Sequence, residues 1–423
     1  MIYLGLGSNQ GERRSFLSAA IEQLKAAGVE IRQISPVVES PALLGKEAEP
    51  NWNRPYLNLV LACEASFSPA EMLKRAKQIE QALGRDLQAP RWSPRNIDID
   101  LLLWHDERIS TPELTIPHPE MYKRSFVITP LMHLAPHLPV PGINLTPLQI
   151  SQQIRPIPLW MGVLNLTPDS FSDGGSIRDT AMLESRLDQW IAEGVHILDL
   201  GGESTRPNAD TVSESEEQRR LQPVFELLGE MRHRHALMPL ISVDTRNTKV
   251  ARWALESGAD WINDVSGLRA PPMLAAVKES AAQAVAMHSL SVPVVPGEAL
   301  DTARPVEVQL REWLQARQAD WQAAGIDPGN ILFDPGVGFG KTALQNMDII
   351  RRTASLRGLG YRLLVGHSRK SFMNSFAVDE FAQRDMETLG LSLAMCEQGV
   401  DVIRVHDPLS HIRAYRAWSQ ARA

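Results

Sequence analysis

Eight times after residue 157 a short apolar run ends in polar side chains and then gives way to a stretch of helical periodicity. The runs are Leu159–Leu164 before Asn165, His196–Leu200 before Gly201-Gly202-Glu203, Pro239–Val243 before Asp244, and Asp260–Ile262 before Asn263-Asp264. Then follow Gln283–Met287 before His288, Ile331–Phe333 before Asp334, Arg362–Val365 before Gly366–Lys370, and Asp401–Ile403 before Arg404–Asp407. Eight strand–helix units in about 265 residues match a (β/α)8 barrel, which builds its site at the C-terminal ends of its strands. An open doubly wound sheet is the alternative if one helix is misread. Polar groups closing every run point to a ligand rather than to a purely structural sheet.

Ahead of this region lies a proline cluster at positions 136, 139, 141, 147, 156 and 158. Such density interrupts helices and strands and marks a boundary. It divides the chain into residues 1–142, a proline-rich linker at 143–157, and residues 158–423. The first part alternates extended runs (Tyr3–Leu6, Arg32–Glu39, Tyr56–Cys63, Ile97–Leu103) with helical ones (Ser15–Ala27 and Pro69–Leu83, with Ser68 as N-cap), a mixed α+β pattern.

A net charge of −7 argues against a nucleic-acid or anionic-membrane binder. Residues 1–150 carry 15 basic and 16 acidic side chains, so no basic domain hides there. Only Cys63 and Cys396 are present, which excludes a disulfide framework and suits a reducing, cytoplasmic setting. No apolar run approaches the roughly 18 residues needed to span a bilayer, so no membrane role is expected.

Two glycine-rich stretches are decoys. Gly5-Leu-Gly7-Ser-Asn-Gln-Gly11 has one residue too many for a dinucleotide fingerprint, and Gly336-Val-Gly-Phe-Gly340-Lys341-Thr342 one too few for a P-loop. The densest early signal is instead Arg91-Trp92-Ser93-Pro94-Arg95-Asn96-Ile97-Asp98-Ile99-Asp100. On a strand, positions i and i+2 share a face, so Asp98 and Asp100 project together. Paired carboxylates repel unless a cation intervenes, and Mg²⁺ with phosphate oxygens is the economical choice. Arg85, Arg91, Arg95 and Arg124 could clamp those phosphates. An exposed strand with surface ion pairs is the plainer alternative, but it leaves the apolar continuation Leu101–Trp104 unexplained.

With Leu6-Gly7-Ser8-Asn9, Tyr56-Leu57-Asn58 and Ile116-Pro117-His118, this segment makes residues 1–142 resemble 6-hydroxymethyl-7,8-dihydropterin pyrophosphokinase along their whole length. The resemblance implies a ferredoxin-like fold and pyrophosphoryl transfer from ATP, with two Mg²⁺ held by Asp98 and Asp100. It further implies a pterin pocket of Ser40, Pro41, Leu43, Tyr56, Asn58 and Phe126. Glu80, Arg85, Arg91, Trp92, Arg95, His118 and Arg124 would contact ATP or organise its loop.

Residues 158–418 resemble dihydropteroate synthase. The matching segments are Met161–Gly175, Asp199–Pro207, Ser242–Thr245, Ile262–Asp264, Asp334–Gly340, Ser368–Lys370 and Arg404–Asp407. The resemblance implies condensation of a pterin pyrophosphate with p-aminobenzoate. Asn165, Thr205, Arg206, Arg404 and His406 would hold the leaving pyrophosphate, with Mg²⁺ near Asn165. Asp244, Asn263, Met287, Asp334 and Lys370 would hold the pterin. Phe171, Ser172, Thr205, Pro207, Ser368 and Lys370 would surround p-aminobenzoate. Three further polar residues read equally as structural: Asp264 as a cap, Asp199 as a bond to a neighbouring strand, His288 as a packed core histidine. The stretch Ser289–Glu298 departs from the family's usual loop. Family barrels commonly dimerise, so a homodimer through the barrel is implied too. Two rivals stand beside the bifunctional reading: a pterin-dependent methyltransferase barrel, and a chain in which one domain is a degenerate binding or assembly module.

Overall fold

The computed structural model describes residues 1–45, 48–86, 88–90, 92–166, 177–203, 212–377 and 384–422. Two compact units emerge, Met1–Ile157 with Ala417–Ala423, and Pro158–Arg416. No described helix is long and apolar enough to cross a membrane.

In the first unit β1 (Ile2–Ser8), β2 (Glu30–Ile34), β3 (Val38–Ser40), β4 (Tyr56–Glu64) and β5 (Asp98–Trp104) form one sheet in the order β2-β4-β1-β5, with β3 alongside β4, and β6 (Ile109–Ser110) pairs with β7 (Thr115–Ile116). Helices α1 (Arg13–Ala26) and α2 (Pro69–Ala82) connect its antiparallel strands, giving the expected ferredoxin-like arrangement. Ser68 caps α2 by accepting from the Glu71 amide at 3.3 Å. The alternation of strand side chains decides everything that follows. Leu4, Leu6, Leu59, Leu61, Ile99 and Leu101 are buried on one face. The other face carries Gly5, Gly7, Tyr56, Asn58, Val60, Asp98, Asp100 and Leu102.

Residues 32–39 are not one strand. Ser35 exchanges backbone and side-chain bonds with Val60, at 3.0 and 2.8 Å, and Pro36 offers no donor, so the ladder breaks between β2 and β3. The proline-rich segment also differs from a bare connector. It contains α4 (Pro147–Gln153), with proline at the tolerated N1 position and Thr146 and Gln149 forming a capping box. Ile150 joins Val127, Ile128 and Leu131 of α3 (Ser125–Leu134) in the first unit's core. Neither helix was legible, because Pro130 and Pro147 mask the periodicity.

The second unit is a closed parallel barrel, as expected: β8 (Leu159–Asn165), β9 (Ile197–Gly201), β10 (Leu240–Asp244), β11 (Trp261–Asp264), β12 (Gln283–Met287), β13 (Ile331–Asp334), β14 (Arg362–Val365) and β15 (Val402–Val405). Register aligns the strand ends. Asn165 and Asp244 both pair with Gly201, and Asn263 pairs with Asp244. Gly162 of β8 leaves room for the ring of Trp190, which would lie 2.4 Å from an added Cβ.

Candidate active sites

In the first unit, Gly7 of β1 is registered between Asn58 and Asp98, and Gly5 between Val60 and Asp100. Two glycines in the central strand keep the floor low between an amide wall and a carboxylate wall. The pocket above this floor is lined by Ser40, Pro41, Leu43, Tyr56, Asn58, Trp92, Arg95, Asp98, Asp100, Arg124 and Phe126. The structure therefore brings together every residue expected at the pterin pocket, and both carboxylates. Asn58 donates to the Ser40 hydroxyl at 3.1 Å, fixing the direction of its amide.

Asp98 is held by Arg85 and by Arg95, the latter at 3.1 Å. Burial opposes its charge, but the two arginines outweigh this and keep it below the usual carboxylate range. Asp100 lies beside it, and among the described residues no arginine or lysine is in contact with it. Burial first, and then the neighbouring Asp98, push it up to about 7. A hard divalent cation would relieve that repulsion, and two carboxylates match what Mg²⁺ takes from protein beside phosphate and water. Among the described residues no group of three or more His, Cys, Asp or Glu is arranged to hold a metal, so the oxygen pair is the donor set on offer. The residues present fit the ion.

Glu80 is wholly buried behind the pair rather than open to a nucleotide. Its carboxylate accepts from the Ile99 amide at 2.7 Å and pairs with Arg85 at 2.7 Å and Lys77 at 2.9 Å. That is an organising position, since Ile99 separates the two aspartates. Asn9 does similar work. Its Oδ1 accepts from the Arg95 backbone N–H at 2.8 Å, and its own backbone N–H donates to the Arg95 carbonyl at 3.2 Å. The motif segment carrying Asn9 was recognised, but its partner lies 86 positions away and no local pattern reveals it. His118 follows the cis Ile116–Pro117 bond, and its Nδ1 accepts from the Glu120 amide at 3.2 Å. Burial lowers its pKa, with Arg124 adding to the effect. Arg91 lies outside the described residues.

At the C-terminal mouth of the barrel, Arg404 joins two carboxylates, donating to Asp199 at 2.6 Å and to Asp244 at 2.7 Å. Asp199 also accepts from the Ser242 hydroxyl at 2.7 Å and the Asn263 amide at 3.4 Å. It does bond neighbouring strands, but in doing so it aims Arg404 and Asn263. Burial, with Asp199 adding to it, raises the pKa of Asp244 against the pull of Arg404. Arg404 itself stays cationic, because the acidic pair outweighs the cost of burying it.

Lys370 donates to the Val337 carbonyl and sits 4.7 Å from the centre of the Phe339 ring. Burial draws it down to about 8, with Asp334 resisting and Arg404 assisting. Met287 packs with Val265 and Phe339, and Val292 and Val294 of the atypical loop close over them. Ser368 and His406 share a bond of 3.0 Å. Asn165 is exposed at the end of β8. Asp264 is structural: its oxygens take the Ser266 hydroxyl and the amides of Ser266 and Leu268, closing the turn after β11. Phe171, Ser172, Thr205, Arg206 and Pro207 lie outside the described residues.

Residues 3–136 match the family described as 7,8-dihydro-6-hydroxymethylpterin-pyrophosphokinase, and residues 161–406 match the family described as pterin binding enzyme. A folate synthesis bifunctional protein of Chlamydia muridarum is 34% identical over 99% of this chain and 98% of its own length. One from Arabidopsis thaliana is 31% identical over 98% and 94%. Among solved structures, Xanthomonas albilineans dihydropteroate synthase with 4-aminobenzoic acid is 36% identical, with a TM-score of 0.56, covering 63% of this chain and 93% of that one. The Anaplasma phagocytophilum synthase with bound 6-hydroxymethylpterin-monophosphate is 30% identical, also with a TM-score of 0.56, covering 63% and 99%.

Proposed function

The chain belongs to the folate synthesis bifunctional family, and from that premise we propose how its residues divide two consecutive transfers between its two units. The first unit moves a pyrophosphoryl group from ATP to the hydroxymethyl oxygen of 6-hydroxymethyl-7,8-dihydropterin. The barrel then joins the pterin pyrophosphate to the amine of p-aminobenzoate, releasing pyrophosphate and 7,8-dihydropteroate.

One observation carries the first assignment: the Gly5/Gly7 floor lies between Asn58 on one side and Asp98 and Asp100 on the other. Tyr56 and Phe126 hold the flat ring, and the Asn58 amide, aimed by Ser40, reads its edge. Asp98 and Asp100 are the residues that would hold Mg²⁺, whose chemistry there is to offset charge on the phosphate oxygens. Arg85, Arg95 and Arg124 clamp the phosphates, so catalysis is chiefly positioning and electrostatic stabilisation. Glu80 and Asn9 act through these groups, by fixing the Ile99 and Arg95 backbones.

In the barrel, Asp244, Asn263 and Asp334 bind the donor edge of the pterin, Lys370 its acceptors, and Met287 its face. Arg404, Asn165 and His406 draw away the leaving pyrophosphate. Ser368 receives the p-aminobenzoate carboxylate and Lys370 lines the same pocket; by motif, Phe171, Ser172, Thr205 and Pro207 are assigned to p-aminobenzoate, and Thr205 and Arg206 to the pyrophosphate.

We place the reaction in the cytoplasm, where ATP is available and where the thiols of Cys63 and Cys396, both buried, stay reduced. Pairing of two chains through the barrel belongs to the same reading. Leu344 and Met386 are each 75% exposed on helices that pack against one another.

Separate assays of the intact chain test both halves. Pterin-dependent conversion of ATP to AMP is expected from the first unit, and dihydropteroate from supplied pterin pyrophosphate from the barrel. Failure of either assay rejects that half.

A further inference from the structure

Lys341 ends the glycine-rich run that imitates a phosphate loop, and the structure turns its side chain inward. Its Nζ lies 2.9 Å from the Gly336 carbonyl, 2.9 Å from the Phe339 carbonyl and 2.9 Å from His288 Nδ1. Burial draws Lys341 down to about 7 against the pull of Asp334; in its ammonium form it has three N–H donors and no acceptor, so these contacts use all of them and leave none for a phosphate. His288 suits the third position. Burial pushes it down to about 2, so the ring is neutral, and in the tautomer protonated at Nε2 its Nδ1 accepts from Lys341. The ring is also braced edge-on by Trp313, with centroids 5.2 Å apart.

The segment closed by these bonds is the one that seats the pterin-facing groups. The Gly336 amide donates to Asp334 at 2.7 Å. The Val337 carbonyl and the Phe339 ring hold Lys370. Little slack remains, since an added Cβ at Gly336 would meet the His288 carbonyl at 1.9 Å. The His288 amide in turn donates to the Asp334 carbonyl at 2.8 Å, linking β12, β13 and the loop in one circuit.

We propose that Lys341 is a positioning residue of the synthase reaction: by gathering Gly336, Phe339 and His288 it sets where Asp334 and Lys370 meet the pterin. This rests on the synthase reading given above. It goes beyond that reading by assigning a role to a side chain that touches neither substrate.

Full-length Lys341→Met and His288→Phe test it with steady-state kinetics on supplied pterin pyrophosphate and p-aminobenzoate. Displaced pterin ligands should raise KM for the pterin pyrophosphate on the order of 10–100-fold in Lys341→Met. KM for p-aminobenzoate should rise by several-fold less, since of the two displaced groups only Lys370 lines that pocket. His288→Phe, which keeps a ring beside Trp313 but removes the acceptor, should move the same KM in the same direction by less. Loss of folded barrel alone would lower apparent kcat and leave both KM values unchanged, and that pattern overturns the inference. Should Lys341→Met not fold, a wild-type pterin KM in His288→Phe overturns it instead. If the wild-type chain forms no dihydropteroate from supplied pterin pyrophosphate, the synthase reading fails rather than the role of Lys341.

Discussion

Asp98 and Asp100 sit two positions apart on one strand, yet Asp98 is held ionised by Arg85 and Arg95 while Asp100 is pushed up to about 7. Spacing alone located the pair, but only the fold shows which member is already neutralised. Asp98→Ala is expected to abolish pyrophosphokinase turnover while synthase activity on supplied pterin pyrophosphate survives. A loss of less than about tenfold, or roughly 1.4 kcal/mol, in AMP release would rule out its metal role. Lys370 gives a prediction in pH. Its folded pKa is lowered from 10.5 to about 8, so between those values the folded chain binds fewer protons than the unfolded one. On this account stability gains with pH across that window, while the cationic contact to the pterin is lost. Synthase kcat/KM should therefore fall as pH passes about 8, and an alkaline limb near 10 contradicts the assignment. The bonds of Arg404 to Asp199 and Asp244 span 205 and 160 positions, which is why the sequence located these ends without revealing the lattice among them.

Among elements, all eight barrel strands were legible because each is a short apolar run with polar residues at its end. Their bounds drifted by one or two residues, as at β11 and β15, where Asn263, Asp264 and Arg404 remain in the ladder. The two prolyl helices α3 and α4 were not legible. Pro147 stands at N1 of α4, where it costs nothing, and Pro130 lies inside α3, but either looks like a breaker in a sequence. The loop after β12 could be recognised as atypical, but not that Val292 and Val294 would pack over Met287. Gly336 tests how rigidly the neighbouring loop is built. Its φ of 66° and the His288 carbonyl 1.9 Å from an added Cβ leave Gly336→Ala both strained and overpacked. Thermal unfolding of that variant should show the barrel transition destabilised by about 1–3 kcal/mol, with the kinase half-reaction unchanged. A transition at the wild-type temperature would mean the loop has room the structure does not show.

At the scale of the whole chain, each unit has its own core, and α4 lends its apolar face to the first. Residues 1–157 and 158–423, produced separately, are therefore expected to fold and keep their respective activities. Tethering would raise encounter frequency without a sealed passage. Excess unlabelled pterin pyrophosphate should accordingly dilute label passing from the first substrate into dihydropteroate, and undiluted label would demonstrate channelling. The claim that one chain performs both transfers at two distinct sites is tested most directly by the mass of the product. The reaction would contain 6-hydroxymethyl-7,8-dihydropterin, ATP, Mg²⁺ and p-aminobenzoate, with wild type, Asp98→Ala, Lys370→Ala, or the two variants mixed. The wild-type chain should yield 7,8-dihydropteroate, neither variant alone should do so, and the mixture should recover it. Product from either variant alone, or none from the wild type, would contradict two sites acting in sequence.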